Sequence, residues 1–305
     1  MNNYWRDREL EHIERMIKDD AKLAKRIRQN QIRALEEIQQ QIDAFYGRYA
    51  SREGITMAEA RKRATKLDME KYAKKAKRYV KERNFTRRAN EEMRIYNLTM
   101  KVNRLELLKL NIELELIAAI SDEERTLFQA LTENARAEYE RQAGILGATI
   151  QANEKSIATI VNASFLTATW SDRLWDNQDA LRSELDRLLN RGIVQGINPR
   201  QLARELRKKF NTSISNSERL LRTELARVQT DVQKDCLEQA GFDSYEYIAE
   251  SDACPICSAL DGKVFKLSKA QAGVNSVPMH PNCRCSTAAY MSREEWDANL
   301  RARGL

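Results

Sequence analysis

Five residues close to the C-terminal end carry the clearest chemistry in this 305-residue chain: Cys254, Cys257, His280, Cys283 and Cys285. A Cys254-x-x-Cys257 turn sets two thiolates on one side of a tight loop. His280-x-x-Cys283 does the same from a second loop, 22 residues further on. Zinc takes four such ligands in a tetrahedron at about 2.0–2.3 Å, and a pair-plus-pair set leaves no position for water. The expected site is therefore structural zinc rather than hydrolytic zinc. Five candidates compete for four places. Cys283 and Cys285 are two apart, and on an extended segment they face opposite ways. Cys283 is favoured because His280-x-x-Cys283 mirrors the first knuckle, and Cys285 stays open as the alternative fourth ligand. The competing reading, buried thiols or a redox Cys-x-x-Cys pair, would suit a lone motif. The second knuckle, and Pro255, Pro278 and Pro281 tightening the turns, favour the metal.

Other candidates are fewer. Arg222 and Glu224 invite a catalytic reading, but such arginine–carboxylate pairs are more often structural. Asp252 and Asp261 flank the first knuckle and are expected to cap its turn or support its ligands. Cys236 reads as a small core residue inside a helix, and His12, amid charges, as an exposed one. The segment 61–88 holds 13 Lys/Arg against Asp68, Glu70 and Glu82, so the remainder of the chain, with its overall charge of +7, is slightly acidic. Its candidate contacts with nucleic acid or a partner are Arg61, Lys62, Arg63, Lys74, Lys75, Lys77, Arg78, Lys81, Arg87 and Arg88. Phosphate neutralisation by such a helix is salt-sensitive and blind to sequence; docking on an acidic protein surface and a merely solvated helix face are the alternatives. There is no Gly-rich phosphate loop, His-Glu-x-x-His motif or nucleophile elbow. General acid–base catalysis has no evident actor, and the chain is not expected to be an enzyme.

The elements that must position these residues are mostly helices. All four prolines lie at or beyond Pro199, and Gly47 and Gly54 are the only glycines before Gly144. Both residues are the main helix breakers. Apolar residues at three-and-four spacing from Leu10 to Phe45 predict one or two amphipathic helices ending near Gly47. Another helix is expected from Thr56, with Glu59 as capping-box partner. Leu105 to Ile120 is apolar on more than one face and predicts a buried central helix, with an oligomer or partner-protein contact as the alternative use of that face. Ser121–Glu124 reads as the cap of a further helix running to a break near Gly144–Gly147. Gly192–Pro199 predicts a turn, with Asn198 as cap and Pro199 in the first helical turn. Helices over 200–210 and 217–240, separated by a polar loop at 211–216, follow. Beyond Gly241 the texture changes, and strands are expected at 244–249, 263–265 and 286–290. A core this short is marginal alone, and structural zinc contributes on the order of 10 kcal/mol in small modules.

Four blocks of residues resemble the head-morphogenesis, or minor head protein, family of tailed bacteriophages, the phage Mu F-like proteins. They are Arg222-Thr223-Glu224; Asp252-Ala253-Cys254-Pro255-Ile256-Cys257; Leu260-Asp261-Gly262-Lys263-Val264-Phe265; and Pro278-Met279-His280-Pro281-Asn282-Cys283-Arg284-Cys285. Trp170-Ser171-Asp172-Arg173-Leu174-Trp175 and the Gly192–Pro199 turn look like the family's helical lead-in, so the resemblance covers roughly 165–290. It implies a minor structural protein of a phage head, at or near the portal, assisting head assembly or DNA packaging and delivery. Implied partners are the portal protein, scaffold or capsid proteins and double-stranded DNA. The implied location is the head interior or portal vertex, with host cytoplasm during assembly.

The expected fold is mainly α: an elongated long-helix region over 1–160, then a head-morphogenesis-like domain over 161–305. The latter comprises helices at 161–240, a small α+β zinc module at 241–290 and a C-terminal helix at 292–303. No apolar run is long enough for a membrane span, and the N-terminus lacks a signal peptide's apolar core. The alternative functions are a DNA-binding protein without sequence preference that uses zinc as a staple, and, less favoured, a nucleic-acid or nucleotide enzyme.

Overall fold

The computed structural model describes residues 2–45, 104–147, 150–194 and 198–292. It is mainly helical, with a small antiparallel sheet near the C-terminal end. The elements in chain order are α1 (Asn2–Phe45), α2 (Arg104–Leu146), α3 (Glu154–Val161), α4 (Trp170–Val194), α5 (Pro199–Gln239), β1 (Ser244–Ile248), α6 (Pro255–Ser258), β2 (Val264–Lys266) and β3 (Ser286–Tyr290). Among the described residues no helix is long and apolar enough to cross a membrane. The basic segment 61–88, the helix expected from Thr56 and the C-terminal helix expected at 292–303 lie outside the described residues, apart from Ser292.

Two compact units interleave along the sequence. The first takes in Met1–Ile27, Glu124–Leu174 and Asn216–Leu305; the second, Arg28–Glu123 and Trp175–Ser215.

In the second unit, Ile38, Ile42 and Phe45 of α1 join Leu108, Ile112 and Leu116 of α2. Leu181, Leu185, Leu188 and Leu189 of α4 and Leu202, Leu206 and Phe210 of α5 complete one apolar cluster. The three-and-four spacing of each set is what puts it on one helical face. From 107 to 120 no residue of α2 is exposed, in keeping with its apolar character all round.

Two expected interruptions are absent. Ser121–Glu124 does not start a helix: α2 runs through it. Glu123, 1 % exposed, turns inward and accepts the Gln31 side-chain amide at 2.8 Å, so this carboxylate serves the core instead of a cap. The polar loop expected at 211–216 is likewise continuous α5. Ser213 and Ile214 are buried, and the Thr212 hydroxyl bonds to the Lys208 carbonyl four residues back at 3.2 Å. A mid-helix hydroxyl can be absorbed in this way without breaking the ladder.

In the first unit the sheet order is β2-β1-β3, all antiparallel, with Tyr245 opposite Phe265 on one side and Ala289 on the other. Every residue of the central strand β1 is buried. Tyr247 packs with Ala226 of α5, and Tyr245 with Leu237 one helical segment further on. Ile248 and Ala288 meet Ile13 of α1. Helix α5 stops at Gly241, whose φ of +77° suits glycine and no β-carbon-bearing residue comfortably. Its N–H reaches the Glu238 carbonyl and the Phe242 N–H the Leu237 carbonyl, closing the helix end and turning the chain into β1.

A buried polar network completes this unit. Arg141 of α2 bridges Glu9 and Glu138 at 2.6 and 2.7 Å. Ser286 donates to Glu9 at 2.8 Å, and Gln233 of α5 takes the Thr287 hydroxyl at 2.6 Å. His12, expected on the surface, belongs to this network: its side chain is 14 % exposed and 3.4 Å from Glu138. Charged neighbours in sequence misled the expectation, because Glu9 and His12 lie three apart and share the inward face. Cys236 is fully buried in α5, as expected.

Candidate metal centre

The first knuckle is made by α6. Cys254 precedes its first turn, Pro255 occupies the first helical position, and the Ser258 N–H bonds to the Cys254 carbonyl at 2.9 Å. This turn brings Cys254, half-buried, and Cys257, buried, to the same side. The chain then returns to β1 through Gly262, with φ +71°. The Gly262 N–H donates to the Tyr247 carbonyl, and the Tyr247 N–H to the Lys263 carbonyl, both at 2.9 Å. Asp261 secures the return, accepting the Ala249 N–H at 2.8 Å and Arg6 at 2.6 Å. Asp252 is exposed.

The second knuckle turns at Asn282, whose φ of +66° lies in the left-handed region that Asn tolerates better than most residues. The Cys283 N–H closes the turn on the His280 carbonyl at 3.1 Å. Helix α5 holds it from outside: the Thr223 hydroxyl accepts the Asn282 N–H at 3.0 Å and donates to the Arg219 carbonyl at 2.7 Å. Arg222 reaches the Asn282 side-chain oxygen at 3.4 Å. Glu224 faces elsewhere. Fully buried, it pairs with Arg227 at 2.6 Å and Arg173 at 3.5 Å. Arg227 also donates to the carbonyls of Ile160 and Val161, and Arg173 to that of Phe165. Glu224 thus orders the backbone after α3, away from the knuckles.

The knuckles converge. His280 donates through Nδ1 to the Pro281 carbonyl at 2.8 Å, which leaves Nε2 free to act as a ligand. Nε2 stands 3.1 Å from Cys254 Sγ and 3.2 Å from Cys257 Sγ, and Cys257 Sγ is 3.9 Å from Cys283 Sγ. Ligands on a tetrahedral ion of this size would be separated by about 3.5–3.8 Å, so the side chains fit an ion with small adjustments. Two triads, Cys254–Cys257–His280 and Cys257–Cys283–Cys285, each have ligand atoms within 4.8 Å of one another and share Cys257. Cys283 and Cys285 are both buried, and both sulfurs lie within 4.8 Å of that of Cys257, so they do not face opposite ways. The five sequence candidates therefore fall into two overlapping triads that could hold a metal.

The thiols are electrostatically unequal. A hydrogen bond from Cys285 and backbone N–H groups hold Cys283 down to about 5, whereas burial pushes Cys257 up to about 12. The Cys257 backbone N–H lowers Cys254. Tyr247, whose hydroxyl lies 4.0 Å from Cys283, is raised by burial. Sequence reading missed Tyr247 and Thr223 as neighbours of the site. Thr223 stood inside a quoted motif, and only the fold shows that its hydroxyl faces the second turn. The ten cations named in segment 61–88 lie outside the described residues.

Comparisons with known proteins add one finding. No curated protein and no solved structure matches the chain. The family described as "Phage Mu protein F like protein" matches residues 183–288. That range contains the Arg222-Thr223-Glu224 block, both knuckles, β1, β2 and the start of β3, and it begins at 183 rather than the 165 expected from the motifs. Over residues 183–288, from the second half of α4 into β3, this chain is similar to the phage Mu F-like proteins.

Proposed function

We propose that this chain is a minor structural protein of a phage head, acting at or near the portal in head assembly or DNA packaging and delivery, with zinc as a structural staple. The observation that supports this reading most is coincidence: the family match encloses the one place in the described residues where both knuckles converge. A thiolate-rich set with one imidazole suits zinc above other divalent ions. Cys254, Cys257, His280 and Cys283 would hold it, with Cys283 preferred to Cys285 because its sulfur lies 3.9 Å from that of Cys257 and completes the second knuckle. Zinc there would crosslink two loops, and a shell filled by four protein ligands has no open position for substrate, which supports a structural and not an enzymatic role.

The test is biochemical. Purified particles from a producing host are probed for this chain, and tagged chain is used to capture the portal protein. Copurification with particles and portal capture support the reading. Chain found free of particles at every stage of assembly overturns it. Metal content is measured separately: about one zinc per chain is expected, falling on Cys283→Ser and holding on Cys285→Ser.

A further inference from the structure

The first half of α5, within the second unit, carries a row of cations that nothing among the described residues neutralises. Arg200, Arg204, Arg207 and Lys208 are exposed, as are Asn211 and Ser215. At 100° per residue all six fall within about 100° of one helical face. Arg200 and Lys208 are eight residues apart, about 12 Å along the axis at 1.5 Å per residue. Several other cations of the same unit are matched: Lys109 pairs with Asp186 at 2.7 Å, Arg187 with Glu184 at 2.9 Å, and Lys209 with Glu184 at 2.8 Å. None of the four cations on the row has a hydrogen-bonding or ionic partner among the described residues. Glu205, the one acid between 199 and 215, lies on another face and is taken by Arg191.

The character of the row selects its partner. No large apolar side chain between 199 and 215 is exposed, and Phe210, the one aromatic there, is 1 % exposed. Protein interfaces are built around a desolvated apolar or aromatic centre, and this face has none. Single-stranded nucleic acid is gripped by aromatic stacking, and none is offered. What remains is cationic forks interspersed with an amide and a hydroxyl, the donor set that proteins direct at phosphate and sugar oxygens of duplex DNA. We propose that the exposed face of α5 from Arg200 to Ser215 binds the phosphodiester backbone of double-stranded DNA without reading its sequence. The assignment does not rest on the head reading: a chain absent from particles could still bind DNA here.

The experiment uses the full chain and a labelled duplex of about 30 base pairs, long enough to span such a row, titrated by fluorescence anisotropy at several salt concentrations. Each neutralised phosphate contributes about −0.9 to the slope of log affinity against log salt. Arg204→Gln with Arg207→Gln is expected to lower that slope by about 2 and to weaken binding about tenfold or more near 0.1 M salt. Arg204→Lys with Arg207→Lys is expected to keep most of both, which separates charge from folding. Lys74→Gln, Lys75→Gln and Lys77→Gln together, in the other basic segment, are expected to leave the contribution of Arg204 and Arg207 intact. The proposal is overturned if the parent chain does not bind duplex, if the glutamine pair leaves affinity and slope unchanged, if the lysine pair binds no better than the glutamine pair, or if polyglutamate competes as well as duplex at equal charge.

Discussion

In the second unit, fourteen buried apolar side chains from four helices form one cluster, most of them leucine or isoleucine. The corresponding cluster around the knuckles has seven buried residues, and three of those are Cys257, Cys283 and Cys285. The first cluster excludes water from a large, branched hydrocarbon interior. The second concentrates thiols, which ligate a metal only as thiolates, a form that an apolar interior opposes unless a cation is there. Ordinary burial therefore holds the helices, while on the proposed zinc reading the knuckles depend on ligation. The sheet they close has one strand of only three residues, Val264–Lys266.

The largest expected effect breaks this comparison on the metal side. Cys257 is shared by both triads, so Cys257→Ser or a strong chelator removes the ligand set at its centre. The loss is on the order of 10 kcal/mol of local folding free energy. Hydrogen exchange followed by mass spectrometry reads it: amides of 244–290 lose protection, while those of 108–116 and 181–210 keep theirs. Uniform loss across both regions, or none at 244–290, contradicts the comparison.

The reciprocal change acts on the helices. Leu185 is 2 % exposed within the apolar cluster, and Leu185→Ala costs about 2–5 kcal/mol through lost burial and the cavity left behind. Metal stoichiometry, measured on the folded variant, is expected to stay at the parent value. Thermal unfolding and metal content together check both halves of this outcome.

What the residues disclosed beforehand follows the same division. Apolar spacing and the absence of proline and glycine located the helices, since 3.6-residue periodicity is local information. Ligand types and spacing picked out the cysteine–histidine cluster that could hold a metal, since each knuckle is a local turn. Hidden from the sequence was anything depending on which polar group turns inward. Glu123 sits in a run that reads as a cap and instead meets Gln31; Ser213 and Ile214 keep α5 continuous through a run that reads as a loop. Residues 1–27 belong to the same compact unit as the sheet, over 200 positions away, and no periodicity encodes such a partner. Thr223 was quoted for its motif and not for its hydroxyl.

His12 sharpens the comparison through pH, because it lies in the network under the sheet and not at the metal. Burial lowers its pKa from 6.5 to about 4, against the attraction of Glu138 and with the help of Arg141 and Arg15, while Gln229 favours its charged form. A depressed imidazole pKa means the unfolded chain takes up the proton first. Stability therefore falls as pH drops below about 6.5 and stops falling below about 4, a total on the order of 3 kcal/mol. His12→Gln removes this contribution. Denaturant unfolding at pH 7 and at pH 4.5 is expected to show a smaller acid-side loss in the variant than in the parent. An equal loss in both places the acid sensitivity elsewhere, Glu138 being the next buried group, held, against the effect of burial, below its usual range by Arg141. Glu9, raised by burial to about 7, acts in the opposite sense and gains stability as pH falls.

The smallest expected effect joins the two kinds of support, because α5 is packed by burial yet reaches the second knuckle through one hydroxyl. Thr223→Val keeps the shape and removes the acceptor for the Asn282 N–H, 3.0 Å away. Asn282 is exposed, so water can replace part of what is lost, and the cost is about 1 kcal/mol. That amounts to a roughly fivefold weaker metal affinity, read by competition with a chromogenic chelator, while Thr223→Ser restores the parent value. If helix and knuckle were independent, the valine variant would bind metal as tightly as the parent. The β-branched shape of Thr223 would then matter only for packing in α5, and the left-handed turn at Asn282 would be held by the knuckle alone.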